Sequence, residues 1–144
     1  MNWTSGLAAL WAGAFVISTV QSVIPVAWWF EPGFVLVEDA RAGECAHISF
    51  DRQIYRPFKG ERVVTFMKET SRGGFATYST HTGVNDYRPG HDLPDTIDSC
   101  WWSWGDEGKL TPGRYVMNTL WTVIPDNGRP RQVARSSNVF EVRE

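Results

Sequence analysis

Six side chains able to hold a metal ion or move a proton crowd one stretch of this chain: His81, Asp86, His91, Asp92, Asp95 and Asp98. Oxygen and imidazole groups of this kind gather divalent cations, and Asp92, Asp95 and Asp98 recur at three-residue spacing. The spacing matches no EF-hand loop, however, and Asp in Gly- and Pro-rich segments ordinarily caps local backbone in solvated turns. The stretch is therefore read as an irregular loop from His81 to Asp98, holding no metal, no cofactor and no catalytic acid or base. Other chemistry lacks its residues. Gly73-Gly74 is not followed by Lys-Ser/Thr and a helix, and Gly-x-Ser-x-Gly, His-Glu-x-x-His and Cys-x-x-Cys do not occur. The sequence reads as a protein that is not an enzyme.

Charge narrows the partners. The 144 residues carry 14 Lys and Arg against 16 Asp and Glu, and the arginines are scattered rather than striped, which argues against nucleic acid. Cys45 and Cys100 are the only cysteines. An even pair suits a disulfide in an oxidising compartment; the alternative is two buried free thiols in a cytosolic domain. Aromatic residues are in surplus: Trp101, Trp102, Trp104 and Trp121 join Tyr55, Tyr78, Tyr87 and Tyr115. On a strand from Cys100 to Trp104, Trp102 and Trp104 share a face with Cys100 and Trp101 points the other way. Trp102, Trp104 and Trp121 are expected in the core, while Trp101, with Tyr87 and His91, forms the candidate binding surface.

These groups must be positioned by two very different segments. From Trp3 to Phe30 the chain is uncharged, and every Asp, Glu, Lys and Arg lies from Glu31 onward. As a helix, Leu7 to Phe30 spans about 36 Å, enough to cross a bilayer core with some tilt. Trp3 at one end and Trp28 and Trp29 at the other stand where indole rings favour the headgroup boundary. Residues 1–30 are thus expected to be one transmembrane anchor helix, contacting membrane lipid. It is read as uncleaved, because a secretory signal has a basic n-region and a shorter apolar core. Ser18, Gln21 and Ser22 share one helix face, and Ser5, Ala9 and Gly13 form a small-residue ladder; both suit contact with a second membrane helix. Pro25 removes one helical hydrogen bond near the outer end.

Residues 31–144 are the size of one domain, and their apolar residues alternate with a period of two. Strands are expected at Phe34–Glu38, around Ala46, Ile48 and Phe50, at Arg62–Lys68, Phe75–Thr80, Cys100–Trp104, Arg114–Ile124 and Ser137–Arg143. Turn chemistry separates them at Arg56-Pro57, Gly73-Gly74, Pro89-Gly90, Pro112-Gly113 and Asp126-Asn127-Gly128. The pattern predicts a mainly β, antiparallel sandwich.

The run Leu110-Thr111-Pro112-Gly113-Arg114-Tyr115, then Trp121, then Ser137-Asn138-Val139-Phe140-Glu141-Val142 resembles the last hairpin of immunoglobulin-like and fibronectin-type-III-like modules of bacterial and phage surface proteins. The resemblance implies an immunoglobulin-like sandwich and a bacterial setting; such folds host unrelated functions. With the faint charge asymmetry around the anchor, the expected topology is a single pass through a bacterial inner membrane, N-terminus cytoplasmic and domain periplasmic. Two functions fit: an accessory or structural subunit of a membrane protein assembly, contacting a protein partner, or a phage- or mobile-element-encoded envelope protein acting alone in lysis or exclusion. The helix face makes a prediction. Gln21→Leu should weaken association with a membrane partner by about 1 kcal/mol without preventing insertion, whereas Val16→Leu, off that face, should leave it unchanged; co-purification from mild detergent reads both.

Overall fold

The computed structural model describes residues 24–90, 94–102, 105–126 and 128–144. Among them the chain forms nine strands: β1 (Phe30–Val37), β2 (Ala40–Arg41), β3 (His47–Ile54), β4 (Phe58–Glu69), β5 (Phe75–Tyr87), β6 (Thr96–Asp98), β7 (Gly113–Ile124), β8 (Arg131–Ser136) and β9 (Phe140–Arg143). They make two sheets. One has the order β1-β3-β6; the other runs β2-β9-β7-β4-β5, with β8 also paired to β7. All pairs are antiparallel except β2 with β9, so the second sheet is mixed. The fold is mainly β, an open sandwich and not a closed barrel.

The core follows from alternation. In β7 the buried residues are Tyr115, Met117, Thr119, Trp121 and Val123, every second position. In β1 the buried set Phe30 and Pro32 is followed by Val35 and Val37, out of step by one. The register shift between Pro32 and Val35 absorbs that extra residue, which is how a bulge keeps apolar side chains on one face. Phe30, from one sheet, meets Phe58 and Trp121 of the other at ring-centroid distances of 5.5 and 5.4 Å. Apolar contact between two inward faces is the principal stabilisation of such a sandwich.

Several boundaries differ from those read in the sequence. Val26–Trp28 is one 3-10 turn, closed by Trp28 N–H to Pro25 O, and Phe30 opens β1 with 0% of its surface exposed. Val26 to Phe30 are therefore 3-10 turn and strand where the helix was expected to continue, and Phe30 packs in an aromatic core. Ala9, Gly13, Ser18, Gln21 and Ser22 lie outside the described residues. Among the described residues, no helix is long and apolar enough to cross a membrane. The stretch expected to be irregular from His81 is strand as far as Tyr87, since β4 pairs with it along its full length. Cys100–Trp102 is a turn and not a strand: Asp98 Oδ1 accepts the Cys100 N–H, and Trp101 N–H donates to Asp98 O. The final strand, expected at Ser137–Arg143, begins only at Phe140, so Ser137–Val139 interrupts the run from β8 to β9.

That interruption seals one edge of the sandwich. Ser137 exchanges two bonds with Met117, its N–H donating to Met117 O and its Oγ accepting the Met117 N–H. Asn138 then reaches the opposite sheet: Val37 N–H donates to its Oδ1 at 2.8 Å, and its Nδ2 donates to Val37 O at 2.9 Å. The amide acts as a substitute peptide group for the edge of β1. Arg135 Nε donates to Pro32 O, and Asp39 Oδ1 accepts the Glu141 N–H. Asn138→Ala leaves both polar groups of Val37 without these partners, so it should lower unfolding free energy by about 2–3 kcal/mol, read as a shift of the urea midpoint at unchanged slope.

Candidate functional site at the open edge

The opposite edge, between β5 and the β3-β6 pair, is built differently. The inward row of β4 is Phe58, Gly60, Arg62, Val64 and Phe66, and so places a guanidinium where the neighbours are apolar. Arg62 pairs across the sheet with Gly83 of β5 and Trp121 of β7. A Cβ on Gly83 would lie 3.0 Å from an Arg62 terminal nitrogen, so the glycine makes room for the charge. Gly60 serves the same edge, for a Cβ there would come 2.5 Å from the Tyr87 ring, which stacks on Phe58 at 4.8 Å. The inward positions of β5 carry Ser79, His81, Gly83 and Asn85, opposite Phe66, Val64, Arg62 and Gly60. A row this polar cannot close a hydrophobic core.

What lies there is a groove of about 350 Å³. Arg52, Arg62 and Asn85 supply hydrogen-bond donors, Asp86 stands among them, and Phe50, Tyr87, Ile97 and Trp101 form apolar walls. Behind it is a smaller cavity of about 50 Å³, bounded by Val35, Ile48, Val64 and Trp121, with both arginines lining each space. Burial pulls the pKa of each arginine below the usual value; Tyr87 partly offsets this at both, with a hydrogen bond at Arg62, and the Asp95 and Asp51 carboxylates offset it at Arg52 against a repulsion from Arg62. Both remain cations at neutral pH. Among the described residues neither forms an ion pair with a carboxylate. Arg52 donates to Pro94 O and lies 4.6 Å from the Phe50 ring centre. The Arg62 guanidinium lies 5.2 Å from that of Trp102, which stacks on His81 at 6.4 Å. Arg62 Nε, His81 Nε2, Trp102 Nε1 and Ser79 Oγ are buried without a hydrogen-bond partner among the described residues. Buried polar atoms are nearly always satisfied, and four orphans along one edge are unusual.

The residues singled out in the sequence fall on both sides of this result. Trp101 is 61% exposed and walls the groove; Tyr87 reaches it while only 4% exposed, since most of its ring is core. His91 lies outside the described residues, as do Asp92 and Trp104. His81 sits on β5 and Asp98 on β6, in different sheets, so the described members of the acidic and imidazole set are not gathered into one cluster. Among the described residues Cys45, Asp98 and Cys100 come together, but the two sulfurs are bonded to each other. Trp121 is in the core, and Trp102 is half-buried against it. Arg52 and Arg62 were missed. A partial signal for Arg62 was present, since counting back by twos from Phe66 and Val64 puts it in their phase, which in the fold is the inward one. No family model matches the chain, and neither a curated protein nor a solved structure does.

The disulfide fixes the groove wall. Cys45 precedes β3 and bridges to Lys109, while Cys100 begins the turn that carries Trp101 and Trp102. Ser99 pins the same turn, its Oγ donating to Gly108 O and accepting the Ala46 N–H. The bond closes a sequence separation of 55 residues, and a loop of that size corresponds to about 4 kcal/mol in the chain-entropy account. Reduction should therefore lower the urea midpoint by an equivalent amount and shift tryptophan emission as Trp101 and Trp102 lose their anchorage. Two free thiols in unreduced, unfolded protein would contradict the bond.

Proposed function

We propose that the chain is a membrane-tethered binding module. An N-terminal membrane segment carries a disulfide-secured, non-catalytic sandwich of immunoglobulin-like type outside the cytoplasm, in the periplasm of a bacterium. There it serves as an accessory or structural subunit of a membrane protein assembly. The observation that carries the reading is the unsealed edge: a groove with two arginines lacking carboxylate partners among the described residues, beside an exposed tryptophan. Exposed Trp with Arg is the pairing most enriched where proteins bind one another. A stable disulfide fits an oxidising compartment.

Support for the tether comes from both ends of the junction. Trp3 to Val23 is uncharged in sequence, and as a helix it would be about 31 Å long, the thickness of a bilayer core. At the end of the sandwich next to Ile24, the Arg56 guanidinium lies 3.7 Å from the Trp28 ring centre and that of Arg131 lies 5.0 Å from Trp29. Aromatic and cationic groups together suit a headgroup layer. Extraction in mild detergent followed by native mass measurement tests the proposal. A stoichiometric complex whose subunit mass includes the residues through Phe30 is expected. A lone monomer would remove the accessory role, and a mature N-terminus near Trp28 would remove the tether.

A further inference from the structure

We propose that the groove at the open edge is a carboxylate-binding site, in which Arg62 and Arg52 hold the carboxylate of an extended polypeptide segment from the partner. This deepens the binding-module reading and rests on it. Two guanidinium groups line the groove with Asp86; the Asp95 and Asp51 charges reach Arg52 without forming an ion pair, and no carboxylate among the described residues acts on Arg62, so Arg62 is the cation that a bound carboxylate would complement. Planar guanidinium forks match carboxylate oxygens in pairs. The Arg62 Nε is buried and without a hydrogen-bond partner among the described residues, so a carboxylate that reaches it would satisfy a donor that the fold leaves open.

The surroundings specify the rest of the ligand. Phe50, Ile97 and Trp101 give the groove apolar walls, and the 50 Å³ cavity behind the arginines is mostly apolar. A carboxylate flanked by aliphatic or aromatic groups fits these walls better than a hydrated free anion. The polypeptide form follows from β5. Among the described residues it is the last strand of its sheet, with thirteen residues and one side unpaired, and it contains no Lys, Arg or Pro. Natural sheets blunt their exposed edges with such residues, and an edge left open accepts a strand from another chain. Asn85, Asp86 and Tyr87 belong to both the groove and β5, so a strand laid along β5 passes the arginines.

The carboxylate has two sources in a polypeptide, an acidic side chain or a free C-terminus. Calorimetry on the full chain in lipid nanodiscs separates them with four probes: acetyl-Thr-Val-Glu-Val-Thr-amide, its Gln counterpart, acetyl-Thr-Val-Val as free acid, and the same peptide as amide. At least one acid should bind about tenfold or more tighter than its neutral counterpart, and the tighter acid names the source. Arg62→Gln and Arg52→Gln should each remove most of that preference, with thermal unfolding as the check that each variant is folded. Arg52, on the other sheet, remains informative if Arg62→Gln does not fold. Equal binding of acid and neutral peptides, an unchanged preference in a folded Arg52→Gln, or displacement of peptide by inorganic phosphate at lower concentration than by acetate would overturn the assignment. A native complex that survives both substitutions would overturn the groove as the contact and leave the accessory role standing. Peptide discrimination without any native complex would do the reverse.

Discussion

Desolvating the Arg62 charge is the constraint around which this sandwich is arranged. A guanidinium in the inward row of a central strand either pairs, stays near water or is expelled. Here it is largely desolvated, held by Tyr87, and borders the groove. Gly83 vacates the position beside it, Trp102 covers part of it, and the inward positions of β5 turn polar from Ser79 to Asn85. Among the described residues one edge of the sandwich is consequently left unclosed, and the groove is the space that results.

The other edge shows what closing requires. Where β1 runs beside the β8–β9 junction, the chain gives up three residues of strand so that Asn138 can present an amide to Val37 and Arg135 can reach Pro32. Those polar bridges, with the Arg143–Asp39 pair at 3.1 Å, hold the sheets together on that side. Stability from the apolar core and this edge is what permits the opposite edge to carry unpartnered polar groups, a division commonly seen where a fold supports a binding site. The Cys45–Cys100 bond lies between the two tasks. It secures the chain through a long loop and fixes the turn from which Trp101 projects.

Much of this was readable from residue order. Alternation at Ala46, Ile48 and Phe50, through Arg62–Lys68 and through Arg114–Ile124 located β3, β4 and β7, and an even cysteine count suggested the disulfide. Local patterns failed where a side chain replaced a backbone partner. Asp98 and Ser99 bend Cys100–Trp102 into a turn that looks like a strand by composition alone. The Gly, Asn and Asp of β5 look like a loop, yet pairing with β4 holds them extended as far as Tyr87. Phe30, last residue of an uncharged run, reads as membrane until Phe58 and Trp121 are found around it.

The sequence by itself determined that the charged part of the chain folds as β-structure and that its apolar residues face one way, because period-two alternation leaves a sheet no other means of burying them. It also placed Arg62 in phase with Val64 and Phe66, although Val63 and Met67 in the other phase left the inward face undecided. Only the tertiary structure decided what that means. Whether an inward arginine is buried, paired or left at an opening depends on which strand lies beside it and how the second sheet ends. In this fold β6 stops after three residues while β5 runs for thirteen. The mismatch in length leaves the arginine facing a groove, and no local pattern of residues encodes it.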